Sequence, residues 1–400
     1  MNNNWQRVKL DDVCDLIAGF AFKGKDFGEE FQSKVIKIAD IQPPNVKMDS
    51  LTGIDVSKYD ESKLQKYRVG IGDYVFAMTG ATIGKLGRIQ EGEAYINQRV
   101  LTFRNNLNVC DKDFLYYVLA QPSFLGYILN HIDSETAQPN ISASSVGTFE
   151  FYLPPISTQK QIANVLRGLD DKIELNNKIN RNLEAQAQAI FKSWFIDTQN
   201  LDRKLVRVRD FFDISIGKTP PRKEPNWFSD NDADVPWVSI SDMGDCGTFI
   251  SCTSEYLTQR AISMFNIRLV PDNTVLLSFK LTIGRIAITD GEMATNEAIA
   301  HFISHDKYIN EYLYCYLKNF NFQTIGNTSS IAIAVNSKII KDMPFTLPTK
   351  EEVMKFHSIT NPIFNRIKSN QRESNRLANI RNTLLPKLIS GEFNFSNIEA

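Results

Sequence analysis

Four stretches in the first half of the chain, KVIKIADI (34 to 41), DYVFAMT (73 to 79), EAYINQRVLTF (93 to 103) and FEFYLPP (149 to 155), alternate apolar with polar residues or run apolar over strand lengths. Among them, DFLYYVLAQPSFLGYIL (113 to 129) repeats its apolar positions at helical spacing. The second half repeats this mixture. VPWVSI (235 to 240), NTVLLSF (273 to 279) and AIAHFIS (298 to 304) predict strands, and NEYLYCYL (310 to 317) predicts a helix. Each half therefore begins with a β-rich α+β lobe of about 150 residues.

After each lobe the pattern changes to a heptad stripe. Ile162, Leu166, Leu169, Ile173, Asn176, Asn180, Leu183, Ala187, Ile190 and Trp194 follow one another at alternating steps of four and three. The second half answers with Phe356, Thr360, Ile363, Ile367, Asn370, Ser374, Leu377, Arg381, Leu384 and Leu388. Thr158 to Gln161 and Thr349 to Glu352 are spaced as capping boxes. A helix of about 38 residues is a rod of ~57 Å, too long for the core of one small domain, so the two rods are expected to pack on each other. Antiparallel pairing would set Asn176 beside Asn370, with Asn180 and Ser374 near them, and send the lobes to opposite ends. Buried polar residues on such a seam lower stability but select register. Pro362 is expected to bend the second helix, Pro386 to mark its last turns, and Gly168 to weaken the first helix slightly.

The halves also match residue by residue. TIGK (82 to 85) returns as TIGR (282 to 285), and the same offset of 200 aligns Arg7-Val8-Lys9 with Arg207-Val208-Arg209. At an offset of 199, NQRVLTF meets NEAIAHF; at 198, DFLYYVL meets EYLYCYL; at 194, FEFYLPP meets MPFTLPT, and that offset continues through the helix. The organisation read from these patterns is lobe one at 1 to 155, a spacer helix at 156 to 198, lobe two at 199 to 348, a second helix at 349 to 391 and a tail at 392 to 400. The fold class is α+β, two lobes separated by an antiparallel coiled coil, with an internal pseudo-two-fold repeat.

Composition supports a folded chain: 42% hydrophobic and 23% charged residues, with 26 Phe and 13 Tyr. No apolar run reaches the roughly 18 residues of a membrane span and the first residues carry no secretory core, so a cytoplasmic location is expected. Five cysteines without a CxxC pair predict reduced thiols and no zinc site. His301 and His305 lie on a strand and the loop after it, too far apart to share an ion.

No catalytic set emerges. GATIGK (80 to 85) has one residue too few between its glycines for a phosphate loop, and Leu86 stands where a Ser or Thr would hold magnesium. IQPPN and YLPPI lack the neighbours of a methyltransferase motif, and Ser278 stands two residues before Lys280 where a metal nuclease would have a carboxylate. No catalytic residue, cofactor or metal is assigned to this chain.

Lobe, helix ending AIFKSWF, lobe, helix ending NTLLPKLISGEF: this order resembles the DNA specificity subunits of type I restriction-modification systems. The marks are IAGFAFKGKDF (17 to 27) and IGKTPPRKEPNWF (216 to 228) opening the lobes, TIG in each lobe, LPPIST before the first helix and LLPKLISGE at the end. The resemblance implies a noncatalytic subunit in which each lobe is a target recognition domain reading half of a split, asymmetric duplex sequence. It implies that the helices bind two modification subunits, that restriction subunits join through these, and that S-adenosylmethionine, ATP and magnesium belong to the partners. Read without it, the repeat also suits a coiled-coil interaction scaffold that does not read DNA.

The charge distribution locates candidate contacts. The chain has net charge −1, but residues 350 to 390 carry +5 and residues 156 to 197 carry +1, leaving −7 for the lobes and tails. Phosphate contacts must therefore come from local clusters or from partners. The clusters are Lys23 and Lys25 in the first lobe, and Lys218, Thr219, Arg222, Lys223 and Lys280 in the second. In TIGK and TIGR, Gly84 and Gly284 let backbone approach a phosphate, Thr82 and Thr282 offer hydroxyls, and Lys85 and Arg285 supply charge; a purely structural turn is the competing reading. Gln98 has the chemistry to read adenine, and at the matched place Glu297 has the chemistry to accept from cytosine.

Overall fold

The computed structural model describes residues 5–132, 139–198, 203–280, 282–325 and 336–393. The chain divides into two units, residues 1–171 with 378–400 and residues 172–377, so that each long helix contributes a segment to each unit.

In the first unit, the strand Gln6–Lys9 pairs antiparallel with Glu150–Leu153, the strand just before the first long helix. A six-stranded sheet contains Cys14–Ala18, Val100–Asn105, Tyr74–Ala77 and Leu86–Arg88 as successive neighbours, followed by two short strands. A four-stranded sheet includes the parallel pair Lys34–Ile36 and Glu93–Ile96. The second unit has the same plan. Lys204–Arg207 pairs with Pro344–Leu347, a five-stranded sheet runs through Asp213–Ile216, Ile299–Ile303, Val275–Ser278 and Ile286–Thr289, and Val235–Val238 lies parallel to Ala294–Thr295. The duplication thus includes the strand order of the larger sheet and the uncommon parallel pairings, while the four-stranded sheets differ at their edges.

Strand register corrects one part of the sequence alignment. Val8 faces Phe151 and Val206 faces Phe345, while the amides of Leu10 and Val208 donate to the carbonyls of Phe149 and Met343. The equivalent of Val8 is therefore Val206, an offset of 198, and the match of Arg7-Val8-Lys9 to Arg207-Val208-Arg209 is a coincidence of composition. A two-residue slip preserves which face each side chain occupies, so alternation alone does not distinguish the two alignments.

The first long helix is Ile156–Phe191, continuing as a π turn over Lys192–Ile196. The second is Lys350–Ile389, uninterrupted at Pro362 and Pro386. Thr349 begins the second helix as expected: its hydroxyl accepts from the Glu352 amide at 3.2 Å, and Glu352 accepts from the Thr349 amide at 2.9 Å. The box at Thr158 does not form. The first helix already begins at Ile156, after Pro154-Pro155, and the Gln159 amide donates to the Pro155 carbonyl. The Gln159 side chain, 1% exposed, instead ties the helix start to the lobe through the Pro154 and Val109 carbonyls and the Asp111 amide.

The helices pair antiparallel within each unit. In the first, Asp170 accepts from Arg381 at 2.6 Å, and Ile162 and Leu166 share a core with Leu385 and Leu388. In the second, Asn176 meets Glu373 and Ser374, Asn180 meets Asn370, and Phe191 meets Phe356 edge to face. The stripe has a double use, because Ile162 and Leu166 pack among first-lobe residues and Ala187, Phe191, Phe356 and Ile367 among second-lobe residues. Buried tyrosines reinforce the attachment: Tyr117 donates to Asp170 at 2.7 Å, and Tyr314 donates to Glu184 at 2.6 Å.

Candidate nucleic-acid interface

A tight turn stands at the same place in each lobe, Asn97 to Val100 in the first and Asn296 to Ile299 in the second. Each joins the parallel-paired strand of one sheet to a central strand of the other, closed by an amide-to-carbonyl bond of 2.8 Å and 3.3 Å respectively. Two other segments are bonded to it. The amides of Gly19 and Phe20 donate to the Val100 and Ile96 carbonyls, and those of Gly217 and Lys218 to the Ile299 and Thr295 carbonyls. On the other side, the Met78 amide donates to Arg99, and the Phe279 amide to Ala298. The backbone therefore assembles the lobe-opening loop, the turn carrying Gln98 or Glu297, and the first residues of the TIG hairpin.

Glycine is required where these segments touch. A Cβ on Gly19 would overlap the Asn97 carbonyl, and one on Gly217 would overlap the Asn296 carbonyl. These two glycines, at an offset of 198, hold the opening loop against the turn. The TIG glycines have another reason: Gly84 and Gly284 have φ of 89° and 91°, in the left-handed region. A Cβ on Gly84 would overlap Leu125, and one on Gly284 would stand 3.3 Å from Phe322. Both TIG turns thus lie against the segment that follows the lobe's principal helix. In the first unit, Ile83, Gly84 and Lys85 line a groove of about 580 Å³ with Tyr116, Leu125 and Arg381.

The predicted side chains differ in what they already hold. Lys23, Lys25, Lys85 and Gln98 are exposed in the first lobe. Thr82 donates its hydroxyl to the Thr79 carbonyl at 3.2 Å, so it serves the hairpin itself. In the second lobe, Lys223, Lys280 and Thr282 are exposed. Lys218 donates to the Phe265 carbonyl at 2.6 Å, and Arg285 donates to the Ile240 carbonyl at 2.5 Å. Arg222 grips Glu255 through two bonds of 2.6 and 2.9 Å and lies over the rings of Phe228 and Trp237. These three cations brace loops. Thr219 donates its hydroxyl to Glu297. Partial burial opposes ionisation of Glu297, but the Thr219 hydroxyl, its own backbone amide, Lys280 and Arg222 together hold its carboxyl below the usual range.

An aromatic cluster escaped the sequence reading. Phe20 and Phe22 of the opening loop meet Tyr59 at 5.4 Å, Phe20 meets Tyr67, and Phe22 meets Tyr95. Tyr59 also donates to Asp26 at 2.6 Å, and with Lys58 holds that carboxyl below its ordinary range. The alternation in GFAF carried the signal, but its partners come from separated strands and loops. His301 is fully buried and hydrogen-bonded at both nitrogens, to Ser215 at 2.9 Å and Thr295 at 2.6 Å, and burial pushes it down to about 3. It is a core histidine. Among the described residues there is no group of three His, Cys, Asp or Glu placed to hold a metal, and no helix long and apolar enough to cross a membrane.

Two lobes of one plan joined to a pair of antiparallel helices make a duplicated α+β architecture of the specificity-subunit class. Residues 2–185 and 200–379 match the type I restriction modification DNA specificity domain, so the chain belongs to that family. It is 24% identical over 374 residues to the type I restriction enzyme HindI specificity subunit of Haemophilus influenzae, covering 74% of this chain and 81% of that protein. It is 22% identical over 426 residues to the EcoBI specificity subunit of Escherichia coli, covering 98% and 87%. The type I restriction-modification S subunit from M. genitalium shares the fold, with a TM-score of 0.56 over 97% of each chain at 16% identity.

Proposed function

We propose that this chain is the noncatalytic sequence-reading subunit of a type I restriction-modification complex, each lobe contacting one half of a bipartite, asymmetric duplex target. The supporting observation is the repeated three-segment frame of the lobes: one backbone arrangement bonds the turn of Gln98 to the loop that carries Lys23 and Lys25 in one copy, and the turn of Glu297 to the loop of Lys223 and the hairpin of Lys280 in the other. The same frame with different side chains suits two different half-sites, since base identity is read by side-chain donors and acceptors while backbone and cationic contacts set position. Lys85 and Thr282 offer exposed side chains to phosphate at the hairpins, while Thr82, Gly84 and Gly284 shape the turns that carry them, with the Thr82 hydroxyl and both glycine amides bonded within the hairpins. Lys218, Thr219, Arg222 and Arg285 act through the loops they brace.

The long helices dock two modification subunits, and restriction subunits join through these. S-adenosylmethionine, ATP and magnesium are held by the partners, and the complex works in the cytoplasm. With −7 in the lobes and tails, this chain alone binds duplex weakly and depends on partner cations for phosphate neutralisation. The test is methylation mapping after co-expression with the methyltransferase subunit encoded beside it. A split motif of fixed gap, altered on one side when residues 1 to 155 are exchanged, is expected. A stable complex that yields no motif would leave only an assembly scaffold.

A further inference from the structure

Glu297 is an acid at a surface that the proposed function turns toward a polyanion. Left alone it would repel phosphate, yet its surroundings keep it ionised and fix it in place. The Thr219 hydroxyl bonds to its Oε2, its own amide contributes, and the charges of Lys280 and Arg222 act on it. Arg222 is committed to Glu255 and does not cap it. A carboxylate has about four lone-pair sites, so acceptor capacity remains after these bonds. That remaining capacity can take a further donor, and a duplex supplies donors at base edges rather than at phosphates.

In the major groove the available base donors are the amino groups of cytosine and adenine. Adenine sets its N7 acceptor beside its amino group, and a carboxylate that reaches one oxygen to the amino group brings the other toward N7, lone pair against lone pair. Cytosine has no such acceptor, and its guanine partner presents N7 and O6 to a cation. Lys280 is exposed on the hairpin bonded to the Glu297 turn through Phe279 and Ala298, and its charge reaches Glu297. We infer that Glu297 and Lys280 together read a single C·G pair in the second half-site, Glu297 accepting from the cytosine amino group and Lys280 donating to guanine, with Thr219 holding the carboxylate in position. This rests on the DNA-reading function proposed above and assigns it a base pair.

The experiment uses the full chain assembled with its methyltransferase subunit. Glu297→Gln keeps an acceptor for Thr219, so the loop retains its bond while the base-facing chemistry changes. The methylated motif is expected to lose its C·G requirement at one position of the second half-site, with discrimination falling about tenfold, and to admit A·T there, because glutamine matches adenine. Lys280→Ala should relax the same position. The wild-type complex supplies a check that needs no variant: duplexes in which each cytosine of the second half-site in turn lacks its 4-amino group should lose about tenfold in methylation at one position only. An unchanged motif in both variants, or a uniform loss of methylation across all sequences, would overturn the assignment. So would amino-group deletion that has no effect at any cytosine. Absence of any motif from the wild-type complex would remove the DNA-reading function itself, and this assignment with it.

Discussion

Asn370 donates its side-chain amide to the side-chain oxygen Oδ1 of Asn180 at 2.8 Å, joining the two long helices across a seam that is otherwise mainly apolar. Asn180 reaches the Ile367 carbonyl at 3.5 Å, and one turn away Asn176 donates to Glu373 at 2.8 Å. These bonds exist in one antiparallel register only. A slip of one heptad would put each amide against aliphatic side chains, at the cost of its desolvation.

Asn370→Ala should destabilise the second unit by about 1 to 3 kcal/mol, because it leaves the half-buried Asn180 side-chain oxygen without its donor. Replacing Asn180 and Asn370 together with leucine should cost much less than the sum of the single changes and weaken register selection. Urea unfolding of the four proteins in a double-mutant cycle checks this; additive effects would contradict the coupling.

The two TIG glycines should respond unequally. Gly84→Ala combines a left-handed backbone with overlap at Leu125, whereas Gly284→Ala combines the same backbone with a 3.3 Å approach to Phe322. Each should lose about 1 to 2 kcal/mol from the backbone alone, with a further loss at Gly84 from repacking. Gly80→Ala, with φ of 72° and open space around its Cβ, should show only the backbone part. Thermal melts of the three variants rank them.

His301 makes stability depend on pH. Its folded value of about 3 lies below the ordinary 6.5, through burial and the charge of Arg268. Between these values the unfolded chain binds a proton that the folded chain does not. The stabilisation is therefore complete above about pH 6.5 and is lost as pH falls toward 3, by up to about 1.4 kcal/mol per pH unit. His301→Gln should lower stability at pH 7.5 but flatten its decline between pH 6.5 and 5 relative to the parent. Equal slopes in denaturant titrations at several pH values would exclude this histidine as the source.

Asp290 anchors the second long helix to its lobe. Its side chain is 4% exposed and accepts from Lys368 at 3.0 Å and from Arg372 at 2.5 and 2.8 Å; burial raises its pKa, but these cations bring it below the ordinary value. Asp290→Ala removes the buried acceptor that ties both cations to the lobe, leaving Lys368 with Asp272 and Arg372 with water, and should destabilise the second unit by about 1 kcal/mol. Arg372→Ala should cost less, since Lys368 still neutralises the acid. Hydrogen exchange along residues 364 to 375 would detect the loosening.

Much of this architecture is visible in one dimension because its periodicities are local. Alternation in VPWVSI and NTVLLSF, the four-three stripe from Ile162 to Trp194, and the Thr349-to-Glu352 box each depend on residues within a few positions of one another. The repeat is visible for the same reason: duplicated elements keep their patterns while intervening loops vary. Asn176, Asn180, Asn370 and Ser374 even indicate the polar layer, since interruptions at matched places in two stripes imply that they meet.

Tertiary structure decided what depends on residues far apart in the chain. Pairing with Phe151 and Phe345 set the equivalence of Val8 and Val206, because strand register is a property of two segments at once. The commitments of Lys218, Arg222 and Arg285 follow from Phe265, Glu255 and Ile240, none of them a sequence neighbour. Charge and spacing in the sequence make those cations equivalent to Lys23 or Lys280; only packing shows that Lys218, Arg222 and Arg285 are bonded to the loops they hold. The pairing of Thr219 with Glu297 is of the same kind, a hydroxyl and a carboxylate 78 positions apart that the strand-to-turn bonds bring together.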